Sequence, residues 1–137
     1  MSTRTAVRRG KTPRSRAKGA SALLRIVQAA LEDMKAVNVK VIDVRGLTDV
    51  ADSLVIASGT SDRHVRSIAE RVIEQAKASG VRPLGTEGER EGEWVLVDLR
   101  DIIVHVMLPR VREFYALERL WEAGAAPEAP AHVAQHS

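Results

Sequence analysis

The sequence predicts a single α/β domain with one mixed sheet flanked by helices, and three observations lead there. First, Gly92 to Met107 (GEWVLVDLRDIIVHVM) alternates side chains along two short runs, Trp94–Leu99 and Ile102–Met107, broken at Arg100-Asp101. Side chains alternate across a strand, so this stretch reads as a tight hairpin. Second, two segments repeat apolar residues at three- and four-residue steps, the mark of helices that bury one face. Third, short β-branched runs lie between those segments. The order helix, two strands, helix, short strand, hairpin, helix suits one mixed sheet covered by helices.

Along the chain, Leu23, Ile26, Val27, Ala30, Leu31 and Met34 share one helical face, with Arg25, Gln28, Glu32 and Lys35 elsewhere on the wheel. Val39–Val44 and Asp52–Ser58 read as strands joined by a turn that contains Gly46. Gly59-Thr60-Ser61-Asp62 punctuates, with Thr60 or Ser61 as the N-cap of a second helix. That helix buries Val65, Ile68, Ala69, Val72, Ile73 and Ala76, and Gly80 is placed to end it. Val81–Thr86 is a short strand, and Glu87–Gly92 (EGEREG) is a charged loop before the hairpin. Both faces of the hairpin are largely apolar, so helices or a partner should cover most of it. Pro109 ends the last strand because it has no N–H for the ladder. A final helix over Val111–Trp121 is expected to grip the body through Phe114, Leu117, Leu120 and Trp121.

A chain of 137 residues has room for one core and not comfortably for two. There is no cysteine, so disulfides, thiol catalysis and cysteine-ligated metal are excluded. No apolar run approaches the ~18 residues of a membrane span and no signal core is present, which makes the cytoplasm the expected location. The net charge of +3 conceals two halves of opposite sign. Residues 1–19 carry seven basic residues (Arg4, Arg8, Arg9, Lys11, Arg14, Arg16, Lys18) and no acid. Residues 20–137 hold 14 basic against 18 acidic residues, a net −4. The expected organisation is a basic disordered arm over 1–19, the α/β domain over 20–122, and a disordered Ala/Pro-rich tail over 123–137. A groove that tracks nucleic acid would normally cluster Lys and Arg within the domain itself. Such an arm is either a solvated tail or a contact to RNA of low sequence specificity.

Three chemistries are weighed on the residues alone. Gly59-Thr60-Ser61 sits between a strand and a helix start, where free N–H groups favour anions. Neither GxxxxGK[ST] nor GxGxxG is present, however, and an ordinary capped turn explains the same residues. Two-metal nucleotidyl transfer would need strand carboxylates that share cations, and Asp43, Asp98 and Asp101 lie on or beside strands. The Gly-Ser dipeptide with paired strand aspartates is absent, and Asp is common beside turns for conformational reasons. The histidines show no metal-ligand spacing. Taken alone, His105 reads as a strand residue with a satisfied hydrogen bond, and no cofactor is implied.

Interaction is the remaining class. Trp94 follows the acidic loop, with Leu96 and Asp98 on its face of the strand. Trp, Tyr and Arg dominate interface hot spots, and Met is enriched at interface cores. Trp94 is then either an interface anchor or a plug at the edge of the core.

The segments GTSDRHVRSIAERV and PLGTEGEREGEWVLVDLRDIIVHVMLPRVREFYALERLW closely resemble the ribosomal silencing factor family (RsfS, also called Iojap). The resemblance runs from about Leu23 to Trp121. It also takes in DVRGLTDVADSLVIASGTSDRHV and the Glu87-Gly88 pair. It implies an α/β fold similar to nucleotidyltransferases without their catalytic motif, and no catalysed reaction. It further implies binding to the fourteenth protein of the large ribosomal subunit, a steric block to joining of the small subunit, and reduced translation when nutrients are scarce. Free members of the family are often homodimers. By position, the family's binding surface falls on Trp94, Asp98, His105 and Met107, with Leu84, Glu87, Arg110 and Tyr115 in support. Trp94 and Met107 would supply apolar area, and Asp98 and Glu87 would meet basic residues on the partner. The alternatives carried beside this reading are a cryptic nucleotidyltransferase and an RNA-binding module that acts through the arm, the latter adding salt-sensitive contacts to ribosomal RNA. One departure concerns the hairpin turn, where the family usually has Gly and this chain has Arg100. If that position needs positive φ, Arg100 is strained.

Overall fold

The computed structural model describes residues 13–122, with side chains described for 21–119. Residues 1–12 and the tail 123–137 lie outside the described residues, as do the side chains of Leu120 and Trp121. The element order is α1 (Pro13–Asp33), β1 (Val37–Asp43), β2 (Ser53–Ser58), α2 (Asp62–Ala78), β3 (Gly85–Glu87), β4 (Trp94–Asp98), β5 (Ile102–Met107), α3 (Pro109–Tyr115) and α4 (Leu117–Glu122). The five strands form one sheet in the order β1-β2-β5-β4-β3. Among the described strands only the β2–β5 pair is parallel, because α2, β3 and β4 intervene and return the chain in the same direction. The other pairs are antiparallel, so the sheet is mixed as expected.

Strand alternation sorts the sheet into two faces. Val55, Ala57, Val95, Val97, Ile102, Val104 and Val106 point to one face, where Leu23, Val27, Ala30 and Leu31 of α1 and Val65, Ile68, Ala69, Val72 and Ala76 of α2 complete the main core. Ser61 caps α2, its side chain accepting the His64 N–H, and Gly80 follows the helix at φ 94°. The opposite face carries a smaller cluster of Ile42, Leu54, Ile56 and Met107, closed by Val44 and by Val111 and Leu117 of α3 and α4. Those two short helices cover only the β1–β2–β5 side of that face.

Two expectations are corrected. Helix α1 begins at Pro13, so residues 13–19 open a helix although they were expected in the arm. Proline suits the first helical turn, and the single Gly19 within it costs only about 1 kcal/mol. The expected Val111–Trp121 helix is broken in two by Ala116, which takes the left-handed conformation at φ 49°, ψ 39°. The break turns Leu117 inward (5% exposed) and leaves Phe114 79% exposed, so Phe114 projects outward where a grip on the body was expected.

Candidate interaction surface

The half of the open face not covered by α3 and α4 is set by register. Trp94 pairs with Met107, Leu96 with His105 and Asp98 with Ile103, and Glu87 on β3 pairs with Leu96. These residues therefore share one face. Trp94, Leu96, Asp98 and Ile103 are each half-buried, while Val95 and Val97 between them are buried on the other side. Leu84, whose N–H donates to the Asp98 carbonyl at 2.7 Å, stands 58% exposed beside them. On the far side, the Tyr115 ring lies 5.2 Å from the Trp94 ring, and Phe114 meets Tyr115 edge-on at 4.9 Å. Leu96, Trp94, Tyr115 and Phe114 thus make an apolar and aromatic strip with Glu87 and Asp98 beside it, and exposed Leu84 lies just before β3.

His105 and Met107 belong beneath this strip. His105 is 2% exposed and Met107 0%. The resemblance placed both in the binding surface, with Met107 as an apolar anchor, but neither has surface to offer a partner. Met107 fills the cluster under α3 and α4. The His105 Nδ1 accepts the Trp94 Nε1–H at 3.0 Å. Indole nitrogen only donates, so His105 is neutral with its proton on Nε2. Burial pushes its pKa down to about 3. His105 holds the indole and does not titrate at neutral pH. Arg110 stands at the rim, 3.4 Å from the Glu93 carboxylate.

Two local devices position Trp94 and Asp98. Gly88 adopts φ 85°, and a Cβ there would fall on the Trp94 carbonyl oxygen. Only glycine lets the acidic loop pass so close. In the hairpin turn, Arg100 has φ 76°. The Asp101 N–H donates to the Leu99 carbonyl at 3.0 Å, so Arg100 is the centre of a three-residue γ-turn of the strained, positive-φ kind. Asp98 Oδ1 accepts the Arg100 N–H at 2.9 Å and braces that turn.

The other candidate chemistries fare differently. Thr60 N–H donates to His64 Nδ1 at 2.9 Å and Ser61 Oγ accepts the His64 N–H at 3.0 Å, so the turn after β2 serves as a helix cap. The cleft there is lined by Asp62, Glu91 and Glu93 against the single cation Arg110, an acidic balance unsuited to phosphate. Asp43 and Asp98 lie three strand spacings apart, roughly 14 Å, too far to share cations. Asp43 instead forms a bidentate pair with Arg45 at 3.0 and 2.7 Å, whose hydrogen bonds hold its carboxyl below the usual range. Among the described residues no group of three or more His, Cys, Asp or Glu is placed to hold a metal ion. No helix among them is long and apolar enough to cross a membrane.

Sequence reasoning missed Ile103 and Phe114 and did not promote Leu96. The register of β4 against β5 would have placed Leu96 and Ile103. Nothing local foretold the outward turn of Phe114.

Fold and face together define an α/β domain with an exposed aromatic strip on its hairpin. The model of the family described as "Ribosomal silencing factor during starvation" matches residues 17–136, and the chain belongs to that family. It is 45% identical over 92 residues to the ribosomal silencing factor of Chromobacterium violaceum, covering 67% of this chain and 75% of that one. A mouse protein named "Mitochondrial assembly of ribosomal large subunit protein 1" is 30% identical over 119 residues, covering 85% of this chain and 52% of the mouse protein. A crystal structure of a Chromobacterium violaceum protein superposes with a TM-score of 0.73 at 38% identity, covering 80% of this chain and 89% of the other. The family's described role is regulatory, and the protein is not an enzyme.

Proposed function

We propose that the protein binds the large ribosomal subunit through the open hairpin face, with the subunit's fourteenth protein as the contact. Seated there, it blocks joining of the small subunit and lowers translation under nutrient limitation. The observation that carries this reading is the aromatic strip of Leu96, Trp94, Tyr115 and Phe114, left uncovered on the hairpin beside the short helices α3 and α4. Family membership and the name of the mouse relative supply the ribosomal context.

The mechanism is occupancy, with no bond made or broken. Trp94 and Tyr115 offer large, stiff apolar area at low entropic cost, as interface anchors do. Glu87 and Asp98 on the rim suit basic residues of a ribosomal protein. Opposite charge of this kind speeds encounter more than it adds affinity. His105 serves by fixing the indole, and Met107 by filling the layer below. In the free protein the same strip is the natural contact between two copies, and the cytoplasm is the compartment this function requires. The basic arm adds salt-sensitive contacts to ribosomal RNA.

Sedimentation of the full chain with purified large subunits tests the reading. The wild-type chain co-pellets, Trp94→Ala stays in the supernatant, and removal of residues 1–12 lowers affinity at low salt and flattens its salt dependence. Equal pelleting of wild type and Trp94→Ala removes the hairpin face from the mechanism. Unchanged affinity and salt dependence after removal of residues 1–12 removes the arm.

A further inference from the structure

Tyr115 and Phe114 reach the strip from a corner that local sequence does not favour. They close the seven-residue helix α3, and Ala116 after them sits in the left-handed region, where a residue with a Cβ is strained. Something outside the backbone must therefore determine where the corner lies. Val111 and Leu117 pack beneath it (8% and 5% exposed), but apolar packing is not directional.

The directional element is Arg112. Its Nε donates to Glu118 Oε1 at 2.6 Å and its Nη2 to Oε2 at 3.3 Å, a fork that spans the break from α3 to α4. Its Nη1 donates to Ser58 Oγ at 3.0 Å. Ser58 is the buried last residue of β2 and pairs with Met107 in the sheet. One guanidinium therefore ties both short helices to a fixed point on the sheet. The side chains of Arg112 and Glu118 are only 12% and 20% exposed. The Arg112 hydrogen bonds hold the Glu118 carboxyl below the usual carboxylate range despite partial burial. Lys40 Nζ on β1 stands 3.9 Å from the same carboxylate. A fork of this shape fixes angle as well as distance, which a lysine in place of Arg112 would not do.

We propose that the Arg112–Glu118–Ser58 clamp is a positioning device that holds the α3–α4 corner so that Phe114 and Tyr115 complete the binding strip beside Trp94. Neither Arg112 nor Glu118 need touch the partner. The proposal rests on the reading that the strip binds the large subunit. Removing both charges together leaves no uncompensated ion in the interior, so the fold survives while the directional tie is lost. If the corner then holds the bound arrangement only a tenth of the time, apparent affinity falls by the same factor.

The experiment compares full-length wild type, Arg112→Met with Glu118→Met, Glu118→Gln, Ser58→Ala, and Trp94→Ala. Each is measured for affinity to purified large subunits, for its urea midpoint, and for the NMR signal of the Trp94 indole N–H, assigned by its absence in Trp94→Ala. The double variant is expected to keep a urea midpoint near the wild-type value, to bind about tenfold more weakly, and to show a shifted indole signal as the Tyr115 ring moves. Glu118→Gln, which keeps the side chain's size and one acceptor, is expected to lose several-fold in affinity. Ser58→Ala, which frees the fork from the sheet and leaves the ion pair whole, is expected to weaken binding and decides the question if the double variant does not fold. Wild-type affinity in a folded clamp variant, while Trp94→Ala fails to bind, overturns the clamp and leaves the surface standing. Wild-type affinity for Trp94→Ala overturns both.

Discussion

Stability of this fold should depend on pH through one buried imidazole. His105 lies between Leu96 on β4 and Ile56 on β2, both apolar, with the Trp94 indole as its hydrogen-bond partner. Burial lowers its pKa from 6.5 to about 3. Between those values the unfolded chain binds one proton more than the folded one. Stability therefore rises with pH across that window, is fully present above 6.5, and is lost as pH falls below it. Each pH unit inside the window corresponds to about 1.4 kcal/mol, so acidification to about pH 5 removes about 2 kcal/mol. That is a sizeable share of the ~5–15 kcal/mol a domain holds. Glu118 and Asp43, held below the ordinary carboxylate range by Arg112 and Arg45, add their losses only at lower pH. The assay is urea unfolding at four pH values from about 7.5 to about 5, which should shift the wild-type midpoint by roughly 1 M. His105→Gln keeps an acceptor for the indole but does not titrate. It should be less stable at neutral pH and nearly flat across the window. A flat wild-type profile, or an equal slope in His105→Gln, refutes the argument, because the proton would then be taken elsewhere or with no cost to the fold.

Other substitutions separate support from contact. Gly88→Ala would place a Cβ against the Trp94 carbonyl at φ 85° and should cost about 2 kcal/mol or more, read by urea unfolding, with weaker ribosome binding as Trp94 shifts. Arg100→Gly relieves the positive φ of 76° in the hairpin turn and should raise stability by about 1 kcal/mol at unchanged affinity, since the Arg100 side chain is outside the strip. Met107→Ala opens a cavity under α3 and should cost about 2–5 kcal/mol of stability. Leu84→Ala, at 58% exposure, should leave the unfolding midpoint near wild type and weaken large-subunit binding instead.

Periodicity carried most of the fold into view. The alternation in GEWVLVDLRDIIVHVM gave both strands of the hairpin and their pairing, and the apolar faces of α1 and α2 matched the helices that cover the sheet. Ser61 and Gly80 marked the ends of α2 through local turn chemistry, which a sequence states directly. The last two helices were not legible, because Ala116 takes a left-handed conformation that local sequence does not favour, and the contact of Arg112 with Ser58, far away in the chain, forms only in the assembled domain. The start of α1 was hidden by the charge of its first turns, which weakens a hydrophobic pattern without forbidding a helix. Alternation put Leu96 and Asp98 on the Trp94 face, but the turn register that adds His105 and Met107 to it, and how much of that face the returning chain covers, are not stated by local sequence. That coverage separates exposed Leu84 and Tyr115 from buried His105 and Met107, and it is a property of the assembled domain.

The measurement closest to the central claim is subunit joining. Purified large subunits are saturated with the full-length protein, small subunits are added under joining conditions, and joined ribosomes are followed by gradient sedimentation beside a Trp94→Ala control. The account predicts that the wild-type protein keeps the subunits apart in a dose-dependent way and that Trp94→Ala lets them join. Normal joining while the wild-type protein remains bound to the large subunit would contradict it.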